Sequence, residues 1–162
     1  MIAPPTLRFV KYWLPALLWM AFIFFMSTDV GSATHTSRIL GPLLRWLRPD
    51  ITREQLEWAQ FLVRKVGHLT EYAVLAALLR RAIQSLPAST ATWPGKIAGL
   101  AWVGSVAYAV SDEFHQSFVS TRTASVGDVL IDAIGAGLGL ALVFLWRWFS
   151  GRYHNRAVGA AI

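Results

Sequence analysis

The 162-residue chain contains no cysteine. Disulfides, thiolate nucleophiles and cysteine-based zinc sites are therefore excluded, and the redox compartment leaves no trace in the sequence. Acidic residues are scarce too, nine Asp and Glu against fifteen Lys and Arg, for a formal charge of +6. That excess does not read as a nucleic-acid surface, because the basic residues are scattered around hydrophobic runs and form no stripe interleaved with stacking aromatics. Signatures of known catalytic mechanism such as G-x-S-x-G or H-E-x-x-H are also missing. What fills the chain instead is apolar: 55% hydrophobic residues, with eight Trp and nine Phe. A single domain over residues 1–162 needs far less grease than that to fold in water, so the composition points to lipid.

Four runs approach the roughly 20 helical residues needed to cross about 30 Å of hydrocarbon. They cover about residues 12–28, 60–79, 97–116 and 129–149. The first, YWLPALLWMAFIFFMS, carries no charge, and its bulky aromatic character with no small-residue cleavage pattern predicts a retained span rather than a signal peptide. The expected fold class is all-α: a polytopic, four-transmembrane-helix bundle in the cell membrane, with both termini on one side. Lys and Arg number eight on the side of the termini and seven on the other, while all nine acids fall on the side away from the termini. The positive-inside rule then puts both termini in the cytoplasm and the acidic, polar site on the outer face.

The longest connection, residues 29–59, holds SRILGPLLRWL followed by Arg48, so that Arg38, Arg45 and Arg48 stand beside Leu and Trp. It is a candidate interfacial helix, equally readable as a surface loop. Thr52 and Gln55 then fit a capping box opening a helix that continues into the second span. Residues 82–95 read as a loop, and the tail beyond Gly151 as a frayed basic end.

Ionisable residues gather on three of the spans. Lys65, His68, Glu71 and Tyr72 share one helical face. Charged groups facing lipid at mid-bilayer cost about 2.5 to 3.5 kcal/mol each, so this face is expected to look at protein. Asp112, His115 and Gln116 sit one turn apart at the end of the third span, with Glu113 turned elsewhere. Asp128 and Asp132 lie one turn apart on the fourth, and Gly135 and Gly139 continue their face as a small-xxx-small pattern that admits a neighbouring helix. The three acidic ends thus share one level and are expected to form one pocket.

KxxHxxEY, then SDEFHQSFVSTR, then DVLIDAIGAGLG, resembles the VanZ-like family of bacterial membrane proteins, named for an accessory protein of teicoplanin resistance. The resemblance runs from the first span to the end of the fourth. Lys65, His68, Tyr72, Asp112, Glu113, His115, Gln116, Arg122, Asp128 and Gly135 coincide with the family pattern. Two positions depart from it: Asp132 stands where the family usually has Asn, and Ser120, Thr121 and Arg122 replace a Pro-Gly-Arg turn. The resemblance implies a polytopic envelope protein linked to glycopeptide tolerance.

The pocket chemistry leads to one main expectation. His68 with Glu71, and His115 with Asp112, supply general acid and base pairs, with Glu113 beside them; Lys65 and Arg122, helped by Tyr72, Gln116 and Asp128, hold a substrate anion. The substrate class is an anionic, lipid-linked envelope head group, a peptidoglycan precursor or another lipid phosphate, undergoing hydrolysis or group transfer. The alternative is non-enzymatic binding of such a precursor, or of the glycopeptide, at the membrane surface. A third reading is a divalent metal, zinc or manganese, held among His68, Glu71, Asp112, Glu113, His115 and Asp128. Ion pairs that merely fix helix register, Lys65 with Glu71 or Asp128 and Arg122 with Asp112 or Glu113, explain part of the same pattern. Asp132 is expected to be neutralised by Arg or Lys, and His35 and His154 to be surface residues.

Overall fold

A computed structural model of the chain describes residues 5–29, 33–86, 94–120, 122 and 124–159. Six helices account for nearly all of them: α1 Pro5–Tyr12, α2 Leu14–Met26, α3 Ala33–Leu47, α4 Arg53–Gln84, α5 Pro94–Gln116 and α6 Val126–Gly159. No strand occurs among the described residues, as an all-α fold requires. The helix of α6 runs through the segment expected to fray, up to Gly159. Side chains of His35 and His154 lie outside the described set.

The helices begin where their chemistry directs. Thr52 Oγ1 accepts from the Gln55 backbone N–H at 3.2 Å while Gln55 Oε1 accepts from the Thr52 N–H at 3.2 Å, the reciprocal capping box that opens α4. Its 32 residues extend about 48 Å at 1.5 Å per residue, well beyond the second apolar run. Between α1 and α2 the chain bends by 42° around Trp13, just before Pro15 in the first turn of α2. Proline lacks an N–H and crowds the preceding residue, which weakens the helix at that join.

The four expected spans all become helical, but they are not four equally apolar rods. Among the described helices, Val126–Ser150 of α6 is by itself long and apolar enough to cross a membrane, with hydropathy 2.2, and α1 with α2 reaches that measure only as a bent pair. Helices α4 and α5 fall short because they turn polar side chains inward. Their buried groups include His68, Ser105, Asp112, Glu113 and Gln116. Large apolar side chains meanwhile point outward from every long helix, among them Phe22, Phe61, Val103 and Leu138.

The most extensively packed pair is α4 with α6. A Cβ added at Gly135 would overlap the Leu69 backbone, and one at Gly139 the Ala73 backbone. These two glycines therefore set the separation of α4 and α6, and α4 is the neighbour that the small-xxx-small pattern anticipates. At the level of the seam Ile23, Tyr72, Leu75 and Ala109 form the buried core, packed by Trp19, Met20 and Tyr108. Side chains also bind across helices to main-chain carbonyls: Trp19 Nε1 to Glu71 at 2.8 Å, Tyr108 Oη to Met20 at 2.6 Å and Trp102 Nε1 to Ala133 at 3.0 Å. Each joins two helices through a carbonyl that already serves its own helix.

The amphipathic piece of the first long connection is helical, as α3, and passes through Pro42 without ending. Ser37 Oγ donates to Gln60 Oε1 at 2.9 Å and ties α3 to α4. Ile39, Leu43, Trp46 and Leu47 form an exposed apolar stripe on α3.

Candidate functional site

On α4 the residues Arg64, His68 and Glu71 recur at i, i+4 and i+7, which stacks them along one face. That face, with Ser27 of α2, Thr36 of α3, Gln116 of α5 and Arg122 from the α5–α6 connection, encloses a cavity of about 180 Å³. Four residues singled out in the sequence, His68, Glu71, Gln116 and Arg122, thus meet at one wall. Arg64, Ser27 and Thr36 escaped notice. Arg64 carried a signal in its spacing to His68 and Glu71; Ser27 carried one as the hydroxyl closing an uncharged run.

Asp112 is buried just behind this wall. Its Oδ1 accepts from Ser27 Oγ at 2.5 Å, and its Oδ2 from Gln116 Nε2 at 3.0 Å; the same amide also donates to Ser27 Oγ at 3.1 Å. The triangle locks the end of α2 onto α5. It stands in place of the expected Asp112–His115 pair, the carboxylate being bound by Ser27 and Gln116 instead. His115 instead lays its ring on Phe24, centroids 4.3 Å apart, with Nδ1 unpartnered.

The cations are also placed differently from the sequence expectation. Lys65 forms an ion pair with Asp128, joining α4 to α6, with Nζ 5.1 Å from the centroid of Phe61. Both are therefore occupied with each other, the register-fixing role. Arg122 pairs with neither Asp112 nor Glu113. It donates through Nη2 to the Met26 carbonyl and through Nε to the Thr28 carbonyl at 3.3 Å. Carbonyls at a helix C-terminus carry partial negative charge, so a guanidinium there closes α2. Burial draws the Arg122 guanidinium below its ordinary range, Arg64 pulls the same way, and Asp112, Glu71 and Glu113 oppose them. Arg64 itself keeps a buried, unpartnered Nε.

Tyr72 belongs to the core and its buried hydroxyl has no partner. Glu113, one residue after Asp112 on an unbroken helix, is turned toward the start of α6, where its Oε2 accepts from the Ser125 N–H at 2.8 Å. Asp132 faces His68 rather than a Lys or Arg, contrary to the sequence expectation. His68 Nδ1 and Asp132 Oδ1 stand 3.2 Å apart, an ion pair when the imidazole is protonated, though neither atom has an aligned hydrogen bond. Ligand atoms of His68, Glu113 and Asp132 lie within 4.8 Å of one another. Of the wider metal set read from sequence, then, His68 and Glu113 come together, with Asp132 as their third member.

No curated protein and no solved structure matches the chain. A family match does exist, described as VanZ/LLP1, over residues 12–147. That stretch runs from the end of α1 past the glycine seam of α6 and contains every cavity residue named above. With most of its length and its whole polar centre inside the match, this chain belongs to the VanZ/LLP1 family.

Proposed function

We propose that the chain is a four-span membrane protein whose cavity receives the anionic head group of an envelope lipid at the outer face, with both termini cytoplasmic. Family membership ties it coarsely to glycopeptide resistance. The inverted polarity supports the membrane reading: Phe, Leu and Trp side chains are exposed on α2, α4, α5 and α6 while carboxylates and His68 are buried. In water that arrangement forfeits hydrophobic stabilisation; in lipid it is the expected one. The exposed stripe of α3 fits a helix lying in the head-group layer.

The observation that carries the head-group reading is the meeting of two guanidiniums, Arg64 and Arg122, on one small cavity, one of them with an unpartnered Nε. Like charges are brought together where an anion is to be held, and a phosphate accepts several charge-assisted bonds at once. Arg64 thus replaces Lys65 as the proposed anchor beside Arg122. His68 and Glu71 stand on the same wall, placed to take a proton from an attacking water and return one to the leaving oxygen. That placement supports hydrolysis or group transfer as the reaction. Recognition without turnover is the second reading, favoured by the commitment of Asp112 to Ser27 and Gln116, which leaves one His and carboxylate pair on the cavity instead of two.

Protein reconstituted in nanodiscs, with and without a long-chain polyprenyl phosphate, separates these readings. Arg64→Ala is expected to weaken lipid-phosphate binding roughly ten- to a hundredfold, the loss of one hydrogen bond to a charged group. His68→Ala is expected to stop phosphate release but leave binding if the protein is an enzyme. Wild-type protein that binds anionic and zwitterionic head groups alike contradicts the head-group reading.

A further inference from the structure

We propose that His68 of α4, Glu113 of α5 and Asp132 of α6 form a binding site for one divalent cation of the zinc or manganese type. The three side chains come from three different helices and are 9%, 6% and 1% exposed. Their ligand atoms lie within 4.8 Å of one another. Four acceptor positions in this trio have no hydrogen-bond partner: His68 Nδ1, Glu113 Oε1 and both oxygens of Asp132. Buried polar atoms are almost always paired, and so many orphans converging from three helices call for one shared partner.

Neither Lys65 nor Arg122 is that partner. Lys65 is taken by Asp128, and Arg122 donates to the carbonyls of Met26 and Thr28. Nor do the three fully satisfy each other: the 3.2 Å contact of His68 Nδ1 with Asp132 Oδ1 is an ion pair only when the imidazole is protonated, and it leaves Asp132 Oδ2 and Glu113 Oε1 without a partner. A neutral imidazole with its Nδ1 lone pair turned to the carboxylates is instead the form that binds a metal. One imidazole and two carboxylates suit zinc or manganese. Donors around zinc sit about 2.0 to 2.2 Å from the ion, so side-chain shifts of about an ångström would close the set. Glu113 is already oriented from behind by the Ser125 N–H on its other oxygen, the kind of support that fixes a ligand. Because His68 also borders the cavity, the remaining coordination positions would open toward it.

The site stands independently of which head group the cavity receives, but a His68 that ligates the ion through Nδ1 leaves the base role to Glu71, and the test reads metal rather than turnover. Protein purified without a polyhistidine tag, stripped with chelator and titrated with Zn(II) or Mn(II) alone, is expected to bind one equivalent. Asp132→Asn and Glu113→Gln, close in shape to the originals, should each weaken binding at least tenfold, while Glu71→Gln should leave it intact. In the wild type, pulsed electron paramagnetic resonance of bound Mn(II) should show coupling to one imidazole nitrogen, a readout that needs no variant to fold. Failure of wild-type protein to take up either ion overturns the proposal and leaves a protonated acid cluster. So does stoichiometric binding that survives both Asp132→Asn and Glu113→Gln, or Mn(II) without nitrogen coupling.

Discussion

Ser27 shows how much can depend on one hydroxyl: it donates to Asp112, accepts from Gln116, and so joins α2 to α5 inside the bundle. Ser27→Ala leaves a buried carboxylate oxygen and an amide N–H short of a partner, which costs about 1 to 3 kcal/mol. Thermal unfolding in detergent should show that loss, while Ser111→Ala, on the exposed side of α5, should shift stability by no more than about 0.5 kcal/mol. Equal effects would mean the triangle contributes no stability of its own. Helical spacing made the polar face of α4 legible, because Lys65, His68, Glu71 and Tyr72 recur within a narrow arc. It did not separate Lys65 from its neighbour Arg64. The two differ by one residue, or 100° of rotation, and only the position of Asp128 on α6 decides that Lys65 is bound while Arg64 reaches the cavity. Asp132 was hidden for a similar reason: its counterpart His68 comes from another helix, and nothing in the local sequence names it.

At the scale of elements, α4 and α6 owe their close approach to Gly135 and Gly139. Gly135→Ala drives a methyl into the Leu69 backbone and is expected to destabilise by about 1 to 3 kcal/mol, as overpacking does. Gly137→Ala, whose new methyl would meet only Trp102 Nε1 at 3.9 Å, should instead be neutral or gain about 0.5 to 1 kcal/mol of helix propensity. Chemical denaturation of the two variants side by side checks the contrast, and a Gly135→Ala as stable as Gly137→Ala would contradict the seam. The small-xxx-small spacing was readable from sequence, as was the capping box at Thr52. The break at Trp13 was not read, although Pro15 announces it, because the apolar run continues unbroken across the join. Apolarity alone likewise overstated α4 and α5, whose inward polar faces lower their mean hydropathy without shortening them.

For the whole molecule, the cysteine-free sequence turns topology into a direct measurement. Asp50→Cys and Leu86→Cys each place a unique thiol, at opposite ends of α4 and at exposed positions. A membrane-impermeant maleimide applied to intact cells is expected to label the first and to reach the second only after permeabilisation. The reverse pattern inverts the proposed orientation, and labelling of both sinks the spanning of α4. Composition pointed to lipid, a reading that the outward-facing apolar side chains support, and the crowding of acids at one end anticipated that polar side chains would meet; the partners among them emerge only when three helices are set against each other. The glycine seam carries one more consequence. With main chain resting directly on main chain, α4 and α6 have no cushion of side chains to slide upon, so they behave as a fixed spindle. Any widening of the vestibule to admit a guest must then come from the side of α3, whose Thr36 borders it, because Trp19, Ser27 and the carbonyls that Arg122 holds pin α2 to its neighbours.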